Sequence, residues 1–192
     1  MADCPKGSPK GSENRTFDFE TGISRLYIDY SEILQLSRGV AGQVNPEKYD
    51  FVIGIANGGL AVAQIVFDEI RERNPALGVG SIQMKRYRGT NGGEPEFLYF
   101  PEETLRGKRL IVCDELVDEG ATLGALSRKI DSIGAKADYL ALYEKDGAGF
   151  SPERVAREIP RTIFHEKKDF QNWLVFPWEK EWGGKGYIRA VG

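Results

Sequence analysis

Three short and almost continuous apolar runs lie in the middle of the chain, each followed by a polar or glycine-rich turn. They are YDFVIGI, KRLIVC and ADYLALY, at residues 49–55, 108–113 and 137–143. Runs of this length without polar alternation are typical of strands buried on both faces of a sheet. Shorter runs predict further strands at residues 77–84, 96–100 and 173–176.

The segments between these strands carry apolar residues at helical spacing. Residues 29–40 begin with Asp29 three positions before Glu32, a capping-box arrangement that predicts a helix start. Residues 60–73 predict a second helix, and a third should end at Gly134. Strands that alternate with helices indicate an α/β fold, with an open, mostly parallel sheet and helices on both faces.

The length and the composition predict one folded domain with two tails. A chain of 192 residues suits a single sizeable core, and no internal repeat is evident. Residues 1–21 are rich in Pro, Gly, Ser and Lys, which predicts a disordered N-terminal tail. We expect the domain to cover residues 22–180 and a C-terminal tail to cover residues 181–192.

The charge and the cysteine content narrow the classes of function. The formal net charge of -3 provides no basic field of the kind that nucleic-acid binding needs. No apolar run approaches the ~20 residues that cross a bilayer, and the N-terminus lacks the apolar core of a secretory signal. The two cysteines and the single histidine, His165, argue against a disulfide and against a multi-histidine metal centre. We therefore expect a cytoplasmic protein that binds small molecules, not nucleic acid or membranes.

The most informative segment is RLIVCDELVDEGATLGAL, residues 109–126, in which a buried strand leads into four carboxylates within six residues. Ligands of open parallel sheets bind beyond the carboxyl ends of the strands. The N–H groups at the following helix start suit a phosphate, and Gly120 allows close approach. Asp114 and Glu115 suit sugar hydroxyls or hydrated Mg²⁺. The order of these residues favours a sugar phosphate ligand over a plain turn with solvated acids.

Residues 111–123, IVCDELVDEGATL, resemble the signature of type I phosphoribosyltransferases. These enzymes join the ribose of 5-phosphoribosyl 1-pyrophosphate to a base with the help of Mg²⁺. The resemblance implies that Asp114 and Glu115 face the ribose hydroxyls, directly or through Mg²⁺. It implies that Asp118 is the acid/base group near the reacting purine nitrogen. It also implies that the 5-phosphate is wrapped by residues 118–122, which are Asp118, Glu119, Gly120, Ala121 and Thr122.

Two upstream segments resemble the xanthine–guanine and hypoxanthine members of that family. VIGIANGGL, residues 52–60, is similar to the pyrophosphate loop, which implies substrate contacts from Asn57, Gly58 and Gly59. KRYR, residues 85–88, lies where the family has a flexible basic lid, which implies contacts from Lys85 and Arg86. Without the resemblance, KRYR would be a polar surface loop.

Two downstream segments resemble the part of the family that binds the base. LYEK, residues 142–145, looks like the strand end whose lysine, here Lys145, meets the 6-oxo group of a purine. NWLVFPWE, residues 172–179, looks like the late segment, a small C-terminal hood, where Trp173 stacks on the base beside Leu174. Considered alone, Lys145 would be a solvated lysine and Trp173 a core residue. The resemblance also implies a homodimer or homotetramer.

Two positions depart from the family pattern. The family commonly has Arg where this chain has Asn57, and Thr or Ser where it has Glu119. Both changes remove favourable contacts for an anion. Two hypotheses follow: an active 6-oxopurine phosphoribosyltransferase, or a weakened domain that binds nucleotides as a sensor or regulator. We favour the first, because Asp118, Lys145 and Trp173 are present. A P-loop nucleotidase is disfavoured, because no G-x-x-x-x-G-K-[ST] motif occurs.

Overall fold

The computed structural model describes six parts of the chain, residues 15–18, 23–85, 95–117, 120–146, 162–169 and 172–179. The chain divides into two compact units. The core unit is Tyr30–Phe170, and the terminal unit combines Met1–Asp29 with Gln171–Gly192.

The described residues form nine strands and four α-helices. The strands are β1 (Arg15–Asp18), β2 (Ile23–Tyr27), β3 (Phe51–Ala56), β4 (Gly78–Lys85), β5 (Glu96–Tyr99), β6 (Arg109–Val117), β7 (Lys136–Asp146), β8 (Thr162–Asp169) and β9 (Asn172–Val175). The helices are α1 (Tyr30–Ala41), α2 (Gly58–Ile70), α3 (Glu102–Leu105) and α4 (Ala121–Ser132), with 3-10 turns at Pro46–Lys48 and Arg71–Arg73.

The core unit is built on a six-stranded sheet in the order β5-β4-β3-β6-β7-β8. Strand β5 is antiparallel to β4, and every other neighbouring pair is parallel. One hydrophobic core joins Ile53 of β3, Val112 of β6 and Tyr139 of β7 to Leu126 and Ile130 of α4. The apolar runs therefore form central buried strands, and the predicted α/β fold with a mostly parallel sheet is confirmed.

The helices begin and end close to their predicted positions, with one informative shift. Helix α1 follows Asp29 as the capping pattern predicted, and α4 is followed by Gly134 with a φ of +70°. Helix α2 begins at Gly58, two residues earlier than predicted, because glycine lets its first turn pack on the end of β6. None of the described helices combines the length and the apolar character needed to span a bilayer.

Strand β6 is longer than its sequence pattern predicted. The apolar run ends at Cys113, but the strand continues to Val117. Parallel pairing with β7 extends to Val117 and Glu144, so backbone hydrogen bonds hold the polar residues in the sheet. Asp114 and Glu115 therefore lie on the strand and not in the loop after it. Helix α3 and strand β8 were not predicted.

The terminal unit contains a three-stranded sheet in the order β1-β2-β9. Strand β1 pairs antiparallel with β2, and β9 pairs parallel with β2. The late segment is therefore not a purely C-terminal hood, since two N-terminal strands share its sheet. Strand β1 also lies inside the tail that we predicted to be disordered, where pairing with β2 orders it. Residues 1–14, 19–22 and 180–192 lie outside the described residues, and the domain boundaries stay a prediction.

Candidate active site

Two helices begin at the carboxyl edge of the central sheet, each soon after one of two neighbouring parallel strands. Helix α2 follows β3, and α4 follows β6. Neither helix has a side-chain hydrogen bond from its N-cap residue, which is Asn57 for α2 and Gly120 for α4. The N–H of Leu60 donates to the carbonyl oxygen of Asn57, and the N–H groups before it lack a side-chain cap. Uncapped N–H groups at a helix start suit an anion, which the helix dipole favours.

The start of α2 lies directly against the carboxylates of β6. A Cβ atom built on Gly58 would lie 2.0 Å from the carboxyl carbon of Glu115. A Cβ on Gly59 would lie 2.3 Å from the carbonyl oxygen of Cys113. Both distances are shorter than any van der Waals contact, so only glycine allows this approach. The GG pair thus brings the helix start and the acid pair into one site.

The two carboxylates on β6 interact with each other. Oδ1 of Asp114 accepts a hydrogen bond from the main-chain N–H of Glu115 at 3.1 Å. Burial, followed by the charge of Glu115, raises the pKa of Asp114 well above its usual range. Oε2 of Glu115 is buried and has no hydrogen-bond partner among the described groups. A cation or a hydroxyl donor at this point would relieve the repulsion and satisfy the buried oxygen.

The acid pair fits the way in which proteins hold Mg²⁺ beside phosphates. Such an ion keeps several waters and uses only one or two carboxylates together with substrate oxygens. In the parts of the chain that the structure describes, no group of three or more potential metal ligands occurs. Asp114 and Glu115, with one unsatisfied buried oxygen, suit a Mg²⁺ that is held together with substrate oxygens.

Helix α4 is the second helix that begins at this edge of the sheet. Gly120 has a φ of +75°, a left-handed conformation that favours glycine, and its carbonyl accepts from the N–H of Gly124 at 2.8 Å. Ala121 and Thr122 form the half-buried first turn. These are three of the five residues predicted to wrap the 5-phosphate. The other two, Asp118 and Glu119, lie outside the described residues.

The remaining residues predicted for the core unit fall into two groups, those at the carboxyl edge of the sheet and those outside the described residues. Asn57 is exposed after a cis peptide bond, and Lys85 is exposed at the carboxyl end of β4, so both lie at the same sheet edge as the acids. The backbone of Lys145 is the last but one residue of β7 at that edge, one residue beyond the pairing of Val117 with Glu144. Arg86 and the side chain of Lys145 lie outside the described residues.

Trp173 and Leu174 belong to the terminal unit. Leu174 is buried, but the side chain of Trp173 is 39% exposed, so Trp173 is not the fully enclosed core residue that tryptophan usually is. Their base-binding role stays a prediction.

One residue at the sheet edge was missed by sequence reasoning. Glu144 is 4% exposed on β7, opposite Val117 of β6. A buried carboxylate beside the end of β6 is a candidate for positioning a ligand. The sequence could have indicated Glu144, because a charged side chain is unusual inside an apolar strand.

The sequence and the fold of this chain are similar to those of known proteins. Residues 29–174 match the family model of the phosphoribosyl transferase domain. A purine phosphoribosyltransferase from Pyrococcus horikoshii Ot3 has a similar structure, with a TM-score of 0.63 and 24% identity over 81% of this chain and 95% of that one.

Two further solved structures share the fold. A hypothetical protein from Neisseria gonorrhoeae with bound ppGpp has a TM-score of 0.65 and 19% identity, over 85% of this chain and 94% of that one. A hypoxanthine-guanine phosphoribosyltransferase from Bacillus anthracis has a TM-score of 0.58 and 17% identity, over 73% and 81%. The search of curated proteins gave no match. Since the family model covers well over half of its length, the chain belongs to the phosphoribosyltransferase family.

Proposed function

We propose that this protein transfers the phosphoribosyl group of 5-phosphoribosyl 1-pyrophosphate to a 6-oxopurine. The products would be a purine nucleoside monophosphate and pyrophosphate, a purine salvage reaction. The observation that carries the proposal is the close contact between Gly58 and Glu115. The buried Oε2 of Glu115 lacks a hydrogen-bond partner among the described groups. This contact places an uncapped helix start beside a carboxylate pair. The substrate has an anion that suits the helix start and a diol that suits the carboxylates.

The substrate carries anions at both ends of one ribose, and the site offers two helix starts at one sheet edge. In this proposal the turn from Gly120 to Thr122 holds the 5-phosphate, and Asn57 to Gly59 hold the pyrophosphate. Together, Asp114 and Glu115 accept hydrogen bonds from the ribose hydroxyls. When bound, Mg²⁺ would neutralise the pyrophosphate, with these two carboxylates as its protein ligands.

The reaction is a substitution at the anomeric carbon. The bond from that carbon to pyrophosphate breaks, and its electron pair leaves with pyrophosphate. The attacking purine nitrogen forms the new bond and gives its proton to Asp118. The carboxylates of Asp114 and Glu115 stabilise the positive charge that develops on the ribose ring. Lys85 and Arg86 close over the leaving group and exclude water, which would otherwise hydrolyse the activated sugar.

The choice of a 6-oxopurine rests on Lys145, Trp173 and Leu174. A lysine only donates hydrogen bonds, so Lys145 suits the 6-oxo oxygen of guanine, xanthine or hypoxanthine and not the amino group of adenine. Stacking on Trp173 would contribute about 1–3 kcal/mol, and Leu174 would pack beside it. The partial exposure of Trp173 supports this role. Two structural relatives are described as purine and hypoxanthine-guanine enzymes, which supports the same base class.

A second candidate function is nucleotide sensing or regulation with weak or no transfer activity. It is favoured by the structural relative that contains bound ppGpp. It is also favoured by Asn57, which adds no positive charge to the pyrophosphate turn. In this case the same two helix starts would hold the phosphates of a regulatory nucleotide.

The decisive experiment follows pyrophosphate release from the phosphorylated sugar and Mg²⁺ with each base in turn. We expect release with at least one of guanine, xanthine and hypoxanthine, and little with adenine. Asp118→Asn should lower kcat by about 100-fold or more while it changes the Kd of the sugar far less. Release with adenine alone would contradict the assignment of Lys145. Absence of release with every base, together with saturable binding of ppGpp, would support the second candidate.

The cytoplasmic location and the assembly as a homodimer or homotetramer are part of the same proposal. Light scattering coupled to size-exclusion chromatography measures the assembly directly. A monomer at micromolar concentration would contradict it.

A further inference from the structure

A cavity of about 510 Å³ opens at the amino end of the central sheet, the edge opposite the candidate active site. It lies where β6 and β7 begin, at Arg109 and Lys136, and beside the second half of α4. Its volume falls in the range of about 300–1,000 Å³ that small-molecule sites commonly occupy. The proposed reaction does not use it.

The floor of the cavity is apolar and uncharged. Ile130 and Tyr139 close it, but at 1% and 2% exposure they offer almost no surface to a ligand, so the half-buried Ala137 provides the accessible apolar surface. Burial raises the pKa of Tyr139 to about 12, in opposition to a hydrogen bond with Ser127 that lowers it. The phenol therefore stays neutral at physiological pH. A ligand that reaches this floor must present an apolar surface.

One wall of the cavity presents a fixed aromatic ring. The hydroxyl of Tyr49 donates a hydrogen bond to Oδ2 of Asp138, and both residues are partly buried. Because the hydroxyl is held, the ring stays beside the floor and offers a flat face at little entropic cost. A planar body packs on such a face better than a branched one.

The charged residues that line the cavity, three cations and two carboxylates, sum to a net charge of +1. The cations are Lys48, Arg109 and Lys136, all exposed, and the carboxylates are Asp131 and Asp138. Arg109 is 3.6 Å from Asp50 and Lys136 is 3.0 Å from Asp131, but such solvent-exposed pairs hold their partners weakly.

The cations at the mouth retain hydrogen-bond donors for an incoming ligand. The guanidinium of Arg109 has donors beyond its Nε, the atom that faces Asp50. Lys48 makes no ion pair with any described residue. One anionic group is therefore the charge that this mouth accepts best.

We propose that this cavity binds a small organic anion with a planar apolar body. The body lies on Ala137 beside the ring of Tyr49, and the single anionic group meets Lys48 and Arg109 at the mouth. This site is independent of the sugar phosphate site and does not depend on the proposed transferase activity.

The test uses two fluorescent probes that share the same aromatic body. 8-Anilinonaphthalene-1-sulfonate carries one anionic group, and N-phenyl-1-naphthylamine lacks it. We expect saturable binding of the anion to the full-length protein, and binding of the neutral probe weaker by about fivefold or more. Equal binding of both probes, or no saturable binding, would overturn the proposal.

Two variants locate the binding. Lys48→Glu should weaken binding of the sulfonate by about tenfold, whereas Lys108→Glu, an equal charge change on an exposed lysine outside the cavity, should stay within about twofold of the parent. Ser127→Trp should fill the cavity and abolish binding in a protein whose circular dichroism is unchanged. Equal effects of the two lysine variants would overturn the proposal. So would displacement of the probe by 5-phosphoribosyl 1-pyrophosphate with Mg²⁺, since the probe would then lie at the active site.

Discussion

The carboxylate of Glu115 fills the space that a side chain at position 58 would occupy. A Cβ on Gly58 would lie 2.1 Å from each Glu115 carboxylate oxygen. These residues are far apart in sequence and come from a helix start and a strand end. Their contact brings the polar N–H groups of α2 to the acid pair on β6. We expect both the stability of this edge and its affinity for the substrate to depend on it.

Gly58→Ala tests this contact. The added methyl group must displace either Glu115 or the start of α2, so we expect a loss of about 1–3 kcal/mol in the free energy of unfolding. Affinity for 5-phosphoribosyl 1-pyrophosphate should also fall. Gly42→Ala is the matched control, because a Cβ there meets only backbone oxygens at 3.5 Å and 3.7 Å. Urea unfolding and calorimetric titration measure both effects, and equal behaviour of the two variants would show that the contact is unimportant.

Glu115→Gln should change stability and binding in opposite directions. Without ligand, loss of the charge relieves the repulsion with Asp114, so the free energy of unfolding should stay level or rise by about 1 kcal/mol. With Mg²⁺ and the phosphorylated sugar, affinity should fall by about tenfold or more, because a ligand to the cation is lost. Glu47→Gln removes the same charge from an exposed position and serves as the control. A variant that loses stability but keeps its affinity would contradict the proposed role of Glu115.

Glu119→Thr tests why the chain departs from its family at the 5-phosphate turn. If the carboxylate faces the phosphate at ~5 Å, repulsion at an effective dielectric of ~20 costs roughly 3 kcal/mol per unit charge. We therefore expect the variant to bind the phosphorylated sugar more tightly, by about tenfold or more. The same change at the exposed Glu72 should have no effect. An unchanged Kd for Glu119→Thr would mean that the carboxylate faces away from the phosphate.

Tyr139→Phe should reduce the loss of stability in alkaline solution. The pKa of Tyr139 is raised from 10.0 to about 12 by burial, so the folded protein holds this proton more tightly than the unfolded chain. The raised pKa adds on the order of 2 kcal/mol to the free energy of unfolding. This contribution is complete below pH 10 and is lost as the pH rises through 12.

The measurement for Tyr139 compares the free energy of unfolding near pH 8 with that near pH 11. From the lower to the higher pH, the free energy of unfolding should fall more in the parent than in Tyr139→Phe. Tyr99→Phe, at a residue that is 53% exposed, should behave like the parent. If all three proteins lost the same free energy, the titration of Tyr139 would not contribute.

Several elements followed from sequence patterns alone, because their causes are local. The apolar runs that became β3, β6 and β7 must be buried wherever they lie, so a buried parallel sheet follows from them. The start of α1 follows from Asp29 and Glu32, and the end of α4 follows from Gly134, since caps involve residues a few positions apart. The acids at the end of β6 also predicted a ligand site at the carboxyl edge of the sheet, and that site stays a prediction.

Other features were decided only by tertiary structure, because they depend on residues distant in sequence. Strand β6 continues through Asp114 and Glu115 to Val117 because β7 pairs with it, and β1 forms because β2 lies beside it. The sequence specified which acids and glycines the site contains. Only the folded chain decided that Glu115 would lie on Gly58 with a buried oxygen left to satisfy, since that contact exists only when a helix and a strand from separate segments are packed together.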